Sequence, residues 1–126
     1  SAGFGDVGLS FVAQPGARYK FEAIIPFSHS ASSTNTHSFS VAFSAGTCYA
    51  LIEQQAAPTT VFAIDTVSTT DATGSAVTTT STSAKMCRIT GTFTHSSAVT
   101  VAMRFATSGG TLTALAGANL TATRLA

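Results

Sequence analysis

Charge is the scarcest ingredient of this chain. Only 9% of its 126 residues are Asp, Glu, Lys or Arg, against about 25% in a typical soluble domain. The six basic side chains, Arg18, Lys20, Lys85, Arg88, Arg104 and Arg124, form no run, and the formal net charge is +1. So weak a field makes neither nucleic acid nor a membrane surface an expected partner. Long apolar runs are missing as well. None approaches the roughly 20 residues of a bilayer-spanning helix, and Ser1-Ala2-Gly3-Phe4-Gly5 has neither the basic nor the apolar region of a signal peptide. The expectation is a soluble chain.

Cysteine is limited to Cys48 and Cys87, with no Cys-x-x-Cys pair. One disulfide is open to them, but two buried free thiols are the stronger expectation. Unpaired cysteine is among the most often buried residue types, and Cys87 shares alternation parity with Ile89 and Phe93. A reducing compartment during folding follows. Helix signals are absent too, since no window places apolar residues at i, i+3, i+4 and i+7 between caps.

What the chain has in place of charge is hydroxyl. It contains 16 Ser and 22 Thr, side chains that compete with helical hydrogen bonds and, for Thr, favour extended backbone. Period-two alternation runs throughout. Tyr19, Phe21, Ala23, Ile25 and Phe27 alternate with Lys20, Glu22, Ile24 and Pro26, and Pro26 puts that strand's end at an edge or bulge. Phe39, Val41 and Phe43 alternate with serines and Ala42, and strands follow at 48–53 and 60–67 with 54–58 as a hairpin loop. Residues 68–83 read as an exposed hydroxyl-rich loop with a weak strand at 77–82, a candidate recognition surface. Strands at 85–94 and 99–106 form the cleanest hairpin, followed by short ones at 111–115 and 119–125, and Leu9 and Phe11 open the series. The whole predicts one all-β domain over 1–126, an antiparallel sandwich or jelly roll of about nine or ten strands.

Several of these strands carry apolar residues on both parities, and few charges are available to protect edges. A homotrimer that buries the second faces relieves both problems, with Ile24, Tyr49, Phe62, Ile64 and Arg104 as candidate subunit-interface residues.

Conventional chemistry finds little footing. His29, His37 and His95 match no metal-ligand spacing and read as polar turn or strand-end residues. A Ser-His-Asp set drawn from Asp6, Asp65 or Asp71 is a chance combination among 16 serines. There is no Gly-x-Ser-x-Gly elbow. Glu22, Glu53, Asp65 and Asp71 are the plausible donors for paired-acid sugar chemistry, but Glu22 reads as the outward partner of Lys20 and Asp71 with Gly74 as a turn. Ser108-Gly109-Gly110 precedes a Thr-rich strand where a phosphate loop needs a helix. Asn119-Leu120-Thr121 reads as a chance sequon. No enzyme activity, metal or cofactor is expected.

The order and spacing of five segments carry a resemblance. They are Ala17-Arg18-Tyr19-Lys20-Phe21-Glu22, Ser38-Phe39-Ser40-Val41-Ala42-Phe43, Arg88-Ile89-Thr90-Gly91-Thr92-Phe93, Val99-Thr100-Val101-Ala102-Met103-Arg104-Phe105-Ala106 and Gly117-Ala118-Asn119-Leu120-Thr121-Ala122-Thr123-Arg124-Leu125. Together they resemble a C-terminal β module of tailed-bacteriophage virion structural proteins, including fibre and head-surface proteins. The resemblance implies an exterior virion component, assembled in the host cytoplasm and commonly homotrimeric, that contacts the major capsid protein or other virion proteins. With Ser1 as the mature start, a free-standing unit of this length fits a head decoration or cement protein; as an excised fragment, it fits a tail-fibre or spike tip that binds a host receptor or glycan. A tumour necrosis factor-like extracellular ligand also fits a trimeric sandwich, and the missing signal peptide and unpaired-looking cysteines count against it.

Overall fold

The computed structural model describes residues 5–30, 36–57, 60–68, 72–73, 76–78 and 83–125, with side chains at 5–6, 60–68 and 72–73 outside that description. Eleven strand segments are described: β1 (Gly5–Ala13), β2 (Arg18–His29), β3 (Thr36–Ala42), β4 (Thr47–Ala57), β5 (Thr60–Ser68), β6 (Ala72–Thr73), β7 (Val77–Thr78), β8 (Lys85–Thr94), β9 (Val99–Thr107), β10 (Leu112–Ala114) and β11 (Asn119–Leu125). They build two antiparallel sheets. Sheet A runs β1-β9-β3-β6 with β7 also on β3, and sheet B runs β10-β2-β8-β4-β5 with β11 also on β2. The chain is all-β, as its alternation predicts.

Alternation dictates which side of each ribbon turns inward. On β2, Tyr19, Phe21, Ala23, Ile25 and Phe27 are buried while the residues between them are exposed or half-buried. Cys87, Ile89 and Phe93 of β8 and Cys48, Ala50 and Ile52 of β4 meet them in sheet B. Sheet A answers with Ala13, Phe39, Val41, Val99, Val101 and Met103. Each fully buried Phe or Ile contributes roughly 1.5–3 kcal/mol by leaving water, so this bilayer of side chains is what holds the sheets together.

Gly91 sits where sheet B leaves no room for a side chain. It pairs with Phe21 on one side and Ala50 on the other. A Cβ there would run into the Tyr49 carbonyl and lie 3.0 Å from the Phe21 ring, which accounts for a glycine inside a strand.

The hairpin expected of 85–94 with 99–106 is not formed: β8 pairs with β2 and β4 in sheet B and β9 with β1 and β3 in sheet A, so these consecutive strands cross from one sheet to the other. The structure departs from the sequence expectation in three further places. Strand segments number eleven among the described residues, not nine or ten: β7 falls on the weak strand expected at 77–82, and β6, where a loop was expected, is the added one. Ala72 and Thr73, expected within a turn between Asp71 and Gly74, are that strand, while residues 69–71, 74–75 and the expected strand residues 79–82 lie outside the described residues. Second, β4 extends through Gln54, Gln55, Ala56 and Ala57, which the sequence assigns to a loop. The two glutamines supply the reason: Gln54 accepts from Phe39 N at 2.9 Å, in the gap of the β3 ladder between β6 and β7. Gln55 accepts from Met86 N at 2.6 Å, one step beyond the last β4–β8 pair. Third, Pro26 is not at a sheet edge. It pairs with Met86 of β8 on one side, and on the other sits where β10 hands over to β11. Its carbonyl accepts from Leu115 N at 2.8 Å, and no neighbour there needs the N–H that proline lacks.

Candidate functional site

The two outer faces of the sandwich differ in what they offer a partner. On sheet B, inward Tyr19, Phe21, Ala23 and Ile25 leave Lys20, Glu22 and Ile24 outward; Met86, Arg88, Thr90 and Thr92 of β8 and Tyr49, Leu51 and Glu53 of β4 complete that face. Arg18, Lys20 and Arg88 are thus mixed with Glu22, Glu53 and apolar side chains. Arg88 donates to Glu22 Oε2 through Nη2 at 2.7 Å and Nε at 3.0 Å. Glu22 therefore pairs with Arg88, where the sequence pointed to Lys20. Lys20 lies opposite Thr92.

Sheet A's outer face is built from small side chains: Ser10 of β1, Ser38, Ser40 and Ala42 of β3, and Thr100, Ala102 and Ala106 of β9. Val12, 54% exposed, is the large apolar residue on it. Among the described side chains Arg104 is its one charge. Ser38 and Ser40 are already buried within the chain, so β3 is covered on both sides. A shallow trough on this face is lined by Ala42, Phe43, Ser44, Thr100, Ala102 and Arg104, among others.

The five candidate interface residues do not form one patch. Ile24, half-buried, and Tyr49, 55% exposed, lie on the outer face of sheet B, whereas Arg104 lies on that of sheet A. Phe62 and Ile64 are paired through their backbones with the inward positions Gln54 and Ile52; their side chains lie outside the described residues.

Sequence reasoning missed a buried polar cluster at one end of the interior. His29 at the end of β2, His37 near the start of β3, Gln54 on β4 and Lys85 at the start of β8 are all buried. His29 Nε2 is 2.7 Å from the Gly109 carbonyl and His37 Nε2 is 3.1 Å from the Gln55 carbonyl. A carbonyl only accepts, so each imidazole carries its hydrogen on Nε2. The rings meet edge-on with centroids 5.6 Å apart, and His37 continues into an edge-on contact with Phe27 at 5.0 Å. Lys85 Nζ donates to the Ser83 carbonyl at 2.8 Å and lies 5.8 Å from the centre of the Phe27 ring. Burial first, then the neighbouring His29 and, least, the Lys85 ammonium hold the His37 pKa down to about 4, with the bond to Gln55 pulling the other way. Burial also lowers the Lys85 pKa. His29 and His37 are strand-end residues, as the sequence suggests, but they are interior ones.

Each of the four continues the inward phase of an apolar neighbour two positions away: His29 follows Phe27, His37 precedes Phe39, Gln54 follows Ile52 and Lys85 precedes Cys87. Phase counting carried past the last apolar residue would have found them.

Cys48 and Cys87 are free and fully buried, on neighbouring strands but at different levels, opposite Phe93 and Gln54 respectively. Burial pushes the Cys48 thiol up to about 12 and the Cys87 thiol upward too, with the Glu53 carboxylate adding to the latter. Both are poor nucleophiles. Among the described residues no group of three or more His, Cys, Asp or Glu side chains is placed to hold a metal ion. No helix of the structure is long and apolar enough to cross a membrane. No family model matches the chain, and comparison with curated proteins and with solved structures likewise gives no match.

Proposed function

We propose that this chain is a structural binding module on the exterior of a tailed-bacteriophage particle, a trimeric jelly roll that holds capsid subunits together by surface contacts. The jelly-roll reading is supported by nested antiparallel pairing: β1 with β9, β2 with β8, β3 with β6 and β7, and β4 with β5. Such nesting is a long hairpin rolled into two four-stranded sheets, to which β10 and β11 are additions. The virion assignment rests on the resemblance of the strand series.

The observation that carries the reading is the contrast between the two outer faces. With Ser38 and Ser40 of β3 already covered, sheet A offers Ser10, Thr100, Ala42, Ala102 and Ala106 beside Val12, with Arg104 as its one described charge. Side chains that small lose little rotamer freedom when covered, and few ions need to be desolvated. A work of contact suits such a face. Further copies of the chain are the occupants proposed here, which leaves the mixed-charge face of sheet B outward.

Light scattering coupled to size-exclusion chromatography tests the assembly. Three times the 12.7 kDa chain mass is expected, and Ala102→Arg, which sets a second cation beside Arg104, is expected to release monomers. A wild-type monomer would remove the trimer. Quantitative mass spectrometry of purified particles tests the location. Hundreds of copies mark a head decoration and a handful a tail fibre, while absence from particles overturns the virion assignment.

A further inference from the structure

Among the described side chains Tyr49 is the one aromatic that is more than half exposed, at 55%. It alternates with inward Cys48 and Ala50 and so stands on the outer face of sheet B. The ladder dictates its surroundings. Thr92 of β8 is opposite Tyr49, and Lys20 of β2 is opposite Thr92; the next outward row is Leu51, Thr90 and Glu22, and the third is Glu53, Arg88 and Ile24. With strands about 4.8 Å apart and each residue rising about 3.4 Å, these rows cover on the order of 10 Å by 14 Å. A shallow trough of about 420 Å³ runs through them, lined by Lys20, Glu22, Arg88, Thr90 and Thr92 among others.

We propose that this face is a saccharide-binding site: a neutral oligosaccharide lies across β2, β8 and β4, with the C–H face of one sugar ring on Tyr49 and its hydroxyls hydrogen-bonded in the trough.

The ring and the trough ask for the same ligand. A pyranose has an apolar C–H face and a hydroxyl rim, and tyrosine has an apolar ring face and a polar tip, so stacking removes apolar surface from water and leaves the hydroxyls free to bond. Beside the ring, Arg88 and Glu22 are already held to each other by the bonds from Nη2 at 2.7 Å and from Nε at 3.0 Å. A ligand therefore meets oriented planar groups, and little further side-chain freedom is lost on binding. Arg88 and Lys20 donate, Glu22 accepts, and the Thr90 and Thr92 hydroxyls do both. Neighbouring sugar hydroxyls present that mixture of donors and acceptors.

Charge complementarity narrows the class. Arg88 is paired with Glu22 inside the trough, and Lys20 and Glu53 stand in the rows on either side. An acidic peptide would set carboxylates against Glu22 and Glu53, and a basic one would set cations against Lys20 and Arg88. An uncharged polyhydroxyl ligand meets neither repulsion. The site lies within one chain, on the face opposite the one proposed to meet further copies, so it stands or falls separately from the trimer.

The test titrates the full chain with short neutral oligosaccharides of glucose, mannose, galactose and N-acetylglucosamine. Calorimetry is expected to show saturable binding of at least one of them. Amide chemical shifts of the native chain are expected to move at Tyr49, Arg88, Thr90 and Thr92 and to stay fixed on the outer face of sheet A. Tyr49→Ala is expected to weaken binding roughly tenfold, and Tyr49→Phe to retain it, since the ring makes the contact. Position 49 is exposed, so both variants are expected to fold. Absence of saturable binding across the panel overturns the proposal, and so does binding that Tyr49→Ala leaves unchanged or that shifts only sheet A. A change in the mass seen by light scattering on Tyr49→Ala, with no sugar bound by the wild type, would assign the face to contact between copies instead.

Discussion

The two ends of the interior are made of the same strands and closed by different chemistry. At one end Phe11 stands 5.5 Å from Tyr19 and 5.8 Å from Phe21, and Phe43 meets Phe93 edge-on at 5.0 Å. Its polar contacts are local: the Tyr19 hydroxyl accepts from Gln14 N at 3.0 Å, and the Thr94 hydroxyl donates to the Ala17 carbonyl at 3.2 Å. At the other end the aromatic pair Phe27 and Phe39, 4.9 Å apart, gives way to His37, His29, Gln54 and Lys85. Aromatic closure is non-directional and indifferent to pH. Polar closure depends on each donor meeting its acceptor, and among the described residues no buried side-chain nitrogen or oxygen lacks a partner. The first end fixes stability, and the second fixes register and responds to conditions.

The largest effect should come from breaking the aromatic end. Phe93 is fully buried between Tyr19 of β2 and Cys48 of β4 in the sheet, and its ring lies where a side chain at Gly46 would go. Phe93→Ala removes that ring from a site whose neighbours are strands and cannot collapse freely. A loss of about 3–5 kcal/mol in chemical denaturation is expected, and a loss under 1 kcal/mol would show that this end contributes no more than the surface does.

Acid comes next, and it acts on the opposite end. The folded-state pKa of His37, about 4, lies below the ordinary histidine value, so the unfolded chain binds more protons between those limits. Its contribution to stability is complete above about pH 6.5 and is lost as pH falls toward 4, roughly 3 kcal/mol in all. Denaturation midpoints of the wild type and His37→Gln, measured from pH 7 to pH 4, should therefore converge as pH falls. Parallel curves would locate the acid sensitivity elsewhere.

Gln54 sharpens the comparison at neutral pH. Gln54→Ala leaves the Phe39 amide without its acceptor in the gap between β6 and β7. The expected cost is about 1–3 kcal/mol, with faster exchange of the Phe39 amide as the local readout. A stability change without that local signature would mean that the glutamine acts by filling space.

The same contrast explains what could be read from the sequence. Alternation reports burial as long as inward residues are apolar, so Tyr19 to Phe27, Phe39 to Phe43 and Cys87 to Phe93 were legible. It falls silent where an inward position is filled by His, Gln or Lys. The reading of β2 stopped at Phe27 and that of β4 at Glu53, one inward residue short of His29 and Gln54. Sheet order was not legible, because hairpin signals identify sequential partners, whereas β1 with β9 and β2 with β8 are joined across most of the chain. The candidate interface list mixed both outer faces for the same reason: parity separates inside from outside but does not say which outside.

The smallest effect belongs to the outer face of sheet B. Arg88 places two nitrogens on one oxygen of Glu22, but the pair is open to solvent, with side chains 53% and 43% exposed. Water and salt screen such a pair, and ordering two long side chains offsets most of the attraction, so Glu22→Ala should cost under about 1 kcal/mol. A thermal shift of a few degrees at most is expected, smaller still in high salt. The substitution also leaves Lys20 and Arg88 opposite only Glu53 among the described acids of that face, which changes how copies meet in solution. Light scattering at low salt should then show altered association with the melting temperature almost unchanged. A large loss of stability would mean that the charged face helps hold the fold, and the division between a packed interior and a solvated sheet B surface would have to be redrawn.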